Sequence, residues 1–204
     1  MGTFVFVLEI IGACAFAVSG AFVGIRKNMD IFGVCIMGLS TAVAGGLIRD
    51  LTLGATPPAM FRNPVYAIAA LISCIIVFIP QVRRIIDKRY ILLMTFDAIG
   101  LGIFTVTGAM KAYQYIPNAT MFLAVFVGVV TGVGGGLLRD TMAGETPYIF
   151  TKHIYATASI AGGILLCVLY PITGKYAAMM IATAFIILLR LLAMKYRWSL
   201  PKID

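Results

Sequence analysis

Residues 45–57 read GGLIRDLTLGATP and residues 135–147 read GGLLRDTMAGETP, identical at eight of thirteen positions. The surrounding chain is 204 residues long, 61% hydrophobic and only 12% charged, with a mean hydropathy of +1.02. Too few polar residues remain to cover a soluble protein of this size, so the composition specifies an integral membrane protein. Glycine pairs, arginine and aspartate are all costly inside such a protein. A costly motif written twice marks both the architecture and the place to look for function.

The repeat extends outward from the motif. EIIGACAFAVSGA, from Glu9, aligns with DAIGLGIFTVTGA, from Asp97, at an offset of 88; the glycine motifs align at 90; and FRNPVYAIA, from Phe61, aligns with FTKHIYATA, from Phe150, at 89. Stretches nearly free of charge then define seven candidate spans: residues 3–25, 31–48, 65–82, 90–110, 118–138, 154–171 and 176–194. The turn signal Tyr115-Ile116-Pro117-Asn118 separates the fourth from the fifth. Helices are expected because they satisfy their own backbone groups in lipid.

Three spans per unit is an odd number, so the second copy enters the membrane from the opposite side. The expected fold is an all-α membrane protein, a single membrane domain over residues 1–204. Two inverted three-helix repeats, residues 5–82 and 91–171, are followed by an extra seventh helix over residues 174–195. Twelve Lys and Arg residues fall on one side and four on the other (Arg49, Arg62, Lys111 and Lys175). By the positive-inside rule the amino terminus is outside and the carboxyl terminus cytoplasmic. The net charge of +8 forms no continuous basic face, so nucleic acid is not an expected partner. Cys14, Cys35, Cys74 and Cys167 lack metal-ligand spacing, and no metal or cofactor is expected.

From Ile31 to Gly45 a helix rises about 22 Å, short of the roughly 30 Å hydrocarbon core. Gly45 and Gly46, and Gly134, Gly135 and Gly136, therefore lie within the membrane. The expectation is that the second and fifth helices break there, exposing carbonyls that suit a cation; close helix packing is the alternative. Arg49 and Asp50, like Arg139 and Asp140, are adjacent and point about 100° apart on a helix, so each is expected to need another partner. Candidate pairs are Arg49 with Asp140 and Arg139 with Asp50, with Glu9 and Asp97 as alternative acceptors. The other alternative is that these charges reach interfacial water and clamp helix ends. Lys111 is either a snorkelling boundary lysine or a charge at a pore mouth. Gly54, Thr56 and Pro57, and Gly144, Thr146 and Pro147, read as a helix end followed by a turn. An enzyme built on Ser19 and His153 is disfavoured, because Ala17 replaces the usual glycine and His153 lies in a loop.

Paired acid-x-x-Gly helices, paired G-G-x-x-R-D motifs, Gly-x-x-P turns and a lone seventh helix resemble the bacterial members of the trimeric intracellular cation channel superfamily, which also carry the label of glycine transporter domain proteins. The resemblance covers nearly all of residues 5–195. It implies a homotrimer in a bacterial inner membrane, surrounded by lipid, with a pore in each protomer lined by kinked second and fifth helices. Potassium would permeate, with sodium as the second candidate. The Lys-Glu-Val lipid-binding signature of the animal channels is not found. A secondary transporter of glycine or another small solute is the alternative function.

Overall fold

The computed structural model describes residues 2–82, 90–151 and 154–198, and its described residues form an all-helical bundle. The helices are α1 (Thr3–Arg26), α2 (Ile31–Thr52), α3 (Ala59–Arg62), α4 (Val65–Phe78), α5 (Tyr90–Tyr115), α6 (Met121–Met142), α7 (Tyr148–Thr151), α8 (Ala156–Thr173) and α9 (Lys175–Lys195). Six of them, α1, α2, α5, α6, α8 and α9, are long and apolar enough to cross a membrane. The expected third span is shorter than foreseen. Its helix α4 ends at Phe78, Ile79 is extended, and residues 80–82 turn helical again. Pro80 explains the interruption, since the residue before a proline is pushed out of helical geometry. At about 1.5 Å per residue the 14 residues of α4 reach about 21 Å, less than the hydrocarbon core.

Local chemistry sets the helix ends, and it does so twice. Asn28 and Asn118 both sit at φ 55°, a left-handed geometry that asparagine tolerates. Asp30 then accepts from the Gly33 amide at 2.7 Å, and Thr120 from the Leu123 amide at 3.2 Å, capping α2 and α6. At the far ends, Gly54 and Gly144 both take φ 68°. The Ala55 amide bonds to the Asp50 carbonyl and the Glu145 amide to that of Asp140, while Gly54 and Gly144 bond to Leu51 and Thr141. This double closure is the Schellman geometry, which glycine adopts without the penalty a Cβ would bring.

The expected break at the paired glycines is not seen: α2 and α6 are each a single helix of 22 residues running through them. The glycines instead let two backbones touch. A Cβ on Gly45 would fall on the Thr131 carbonyl oxygen, and one on Gly135 on that of Thr41. Gly134 lies against the Cα of Gly45, 3.0 Å from where its own Cβ would be. Small residues permit such crossings in lipid, where helix association relies on close packing. The four-helix centre so formed, α1 and α2 against α5 and α6, is covered by α4 on one side and by α8 and α9 on the other. Phe32, Phe122, Phe61, Phe150 and Ile172 are left exposed on the outside of the bundle.

Candidate functional site

Each repeat carries a buried cluster of charges, assembled from equivalent residues. In the first, Arg49 on α2 donates through Nη1 to Glu9 Oε1 on α1 and through Nε to Asp50 Oδ1, both at 2.8 Å. In the second, Arg139 on α6 donates through Nη1 to Asp97 Oδ1 on α5 at 2.7 Å and through Nε to Asp140 Oδ1 at 2.8 Å. The adjacent Arg and Asp thus do neutralise each other, contrary to the expectation from their angular separation. An arginine stem is long enough to fold back, and its planar fork serves two carboxylates at once. The cross-repeat pairs Arg49 with Asp140 and Arg139 with Asp50 do not form. Arg49, Asp50, Arg139 and Asp140 are all at most 3% exposed.

The second oxygen of each aspartate holds a short helix in place. Asp50 Oδ2 accepts from the Ala59 amide at 2.7 Å, at the start of α3, and Asp140 Oδ2 from the Tyr148 amide at 2.9 Å, at the start of α7. A tyrosine completes each cluster: Tyr66 donates to Glu9 Oε2 at 2.8 Å and Tyr155 to Asp97 Oδ1 at 3.3 Å. Sequence reasoning passes over both tyrosines. Their signal is their equivalence, since they occupy the same place in the aligned FRNPVYAIA and FTKHIYATA segments.

From here the two clusters diverge. Lys111 on α5 points inward and donates to Asp50 Oδ1 at 2.7 Å. Beside it lies a cavity of ≈ 350 Å³ lined by Phe6, Asp50, Arg62, Tyr66, Lys111 and Tyr115, among others. A second, water-sized space of ≈ 30 Å³ lies deeper, bounded by Glu9, Gly46, Arg49, Asp50, Tyr66 and Phe104. Both spaces share Asp50, Ala59 and Tyr66 in their walls. Gly46 faces open room, with only Arg49 Nη2 near its missing Cβ, at 3.7 Å. Phe104 stacks on Phe16 with ring centroids 5.4 Å apart, and the two phenylalanines are equivalent in the aligned repeats.

The second cluster is enclosed: Arg139 and Asp97 are both 0% exposed. Ser19, on α1, reaches across from the first repeat and accepts a hydrogen bond from Arg139 Nη1. It is buried in that contact, not poised as a nucleophile, and His153 lies outside the described residues. Gly136 packs under the Tyr155 hydroxyl, 2.6 Å from where its Cβ would be. The four cysteines are free thiols.

A family model described as glycine transporter matches residues 6–81 and 94–171. Over 202 residues the chain is 38% identical to the UPF0126 inner membrane protein YadS of Escherichia coli, covering 97% of this chain and 95% of that one. Its structure matches that of the TRIC trimeric intracellular cation channel orthologue from Rhodobacter sphaeroides with a TM-score of 0.86 and 37% identity, over 97% of this chain and 100% of that one. A further prokaryotic TRIC channel matches with a TM-score of 0.89 and 33% identity, over 98% and 100% of the two chains. The chain therefore belongs to the UPF0126, or glycine transporter, family and has the fold of the prokaryotic TRIC channels.

Proposed function

We propose that this protein is a monovalent cation channel of a bacterial inner membrane, assembled as a homotrimer in which each protomer carries its own path. The observation that carries the reading is the cavity that brings solvent-sized space to the carboxylate of Asp50 and, past it, to the space beside Gly46. The fold shared with cation channels supports it across nearly the whole chain. Potassium is the proposed physiological ion. With the amino terminus outside, the larger cavity faces the outer side, and the crossing of α2 and α6 lies between the two charge clusters.

The chemistry follows from the pairing. Glu9, Arg49 and Asp50 hold two carboxylates against one guanidinium, and Lys111 supplies the second positive charge. Its ammonium stands where a monovalent cation would bind Asp50. When Lys111 withdraws, the cluster keeps one net negative charge beside water, which attracts a cation and repels an anion. Arg49 is fixed by two carboxylates and remains. The stacked Phe16 and Phe104 close the path at mid-protein, so conduction also requires that pair to separate.

Carriage of glycine is the second reading. The family's description favours it, as does a cavity with both a carboxylate (Asp50) and cations (Lys111, Arg62) in its wall. Potassium-loaded proteoliposomes separate the two. A channel gives voltage-driven potassium leak without saturation by glycine, whereas a carrier gives glycine counterflow with no such leak.

A further inference from the structure

Each charge cluster is completed by one more cation, and the two cations come from different places. Lys111, which completes the first, lies on a repeat helix, and the equivalent position in the other repeat is the apolar Val23. The second cluster is completed instead by Arg190, from α9, outside both repeats. Arg190 is 6% exposed. Its Nη1 donates to the Ile154 carbonyl at 2.7 Å, its Nη2 stands 3.8 Å from Asp97 Oδ2, and its guanidinium lies over the Tyr155 ring at 4.6 Å.

The grip is looser than that of Lys111. Asp97 Oδ2, Arg139 Nη2 and Arg190 Nε are buried without a hydrogen-bond partner, whereas Glu9, Arg49, Asp50 and Lys111 leave no such atom among the described residues. One acceptor and two donors, orphaned in one cluster, are the set that entering water would satisfy.

We propose that Arg190 is the inner seal of the cation path. Its guanidinium occupies, against Asp97, the place that hydration takes when the path opens. Opening withdraws Arg190 from Asp97 and from the Ile154 carbonyl, water satisfies the three orphaned atoms, and the second cluster becomes a vestibule like the first. The seventh helix would then be a regulatory addition to the duplicated core. This proposal rests on the channel reading.

The test is potassium flux through the full-length protein in liposomes, comparing wild type with Arg190→Gln and Arg190→Lys. Glutamine removes the charge and should raise flux roughly tenfold, equivalent to shifting a closed–open equilibrium by about 1.4 kcal/mol. The preference for potassium over chloride should be kept. Lysine keeps the charge but cannot engage Asp97 and the carbonyl together, so its flux should fall between the two. A folded Gln variant with wild-type flux overturns the proposal, as does a leak that passes chloride equally, which would report damage to the bundle. Should the Gln variant fail to fold, a folded Lys variant with wild-type flux overturns it alone. Wild-type flux separates the two levels: with none, the channel reading fails and the seal with it, whereas wild-type flux unchanged in the variants removes only the role of Arg190.

Discussion

The Glu9–Arg49–Asp50 cluster and the Asp97–Arg139–Asp140 cluster share their donors, their acceptors, their tyrosines and their clamp on a short helix, yet Asp50 borders a cavity whereas Arg139 and Asp97 are fully buried. The chemistry of a buried ion triad does not decide whether space opens beside it. What surrounds the triad does: Lys111 and open space in one case, and Arg190 and Ser19 in the other.

The comparison is broken most severely at the helix crossing. Gly135→Leu should abolish folded protein, because a side chain there meets the Thr41 carbonyl and the Phe16 ring. Gly46→Leu, one position along from the equivalent Gly45, has room, and should give a folded protein whose potassium flux is lost as leucine fills the inner space. Size-exclusion chromatography paired with liposome flux reads both outcomes.

The next effect tests whether the two clusters differ in hydration. Arg139→Leu strands Asp97 and Asp140 in a dry cluster and should cost about 3–5 kcal/mol, whereas Arg49→Leu should cost less, because water from the cavity can reach Asp50. Denaturant unfolding in detergent measures the gap, and equal costs would mean that the clusters do not differ in hydration. Tyr155→Phe should likewise cost about 1–2 kcal/mol and Tyr66→Phe less, since water can replace only the Tyr66 hydroxyl. The smallest effect belongs to the half-exposed pair Lys27 and Glu145, 3.0 Å apart, where Lys27→Ala should change stability by about 0–1 kcal/mol.

Much of this was legible in the residues. The paired motifs located the helix ends, and the alignment of Glu9 with Asp97 offered them as acceptors for the arginines. Two readings went astray for physical reasons. Angular separation on a helix treats side chains as short radial spokes, while the arginine stem folds back onto its neighbour. Glycine pairs suggested broken helices, because a single sequence shows the cost of glycine but not the opposing backbone that repays it. What distinguished the clusters, Lys111 reaching inward and Arg190 arriving from α9, depends on long-range packing that no local pattern encodes. The reading of Lys111 as a charge at a pore mouth was the one hint of it.

The central claim is that Asp50, beside its cavity, selects cations. Planar-bilayer recording under a potassium chloride gradient tests it through the reversal potential. Wild type should reverse near the potassium equilibrium potential, and Asp50→Asn should move the reversal toward zero, because with Lys111 withdrawn Arg49 then cancels Glu9 and no net negative charge remains. An unchanged reversal potential in Asp50→Asn, or a wild type that does not discriminate potassium from chloride, would contradict the account.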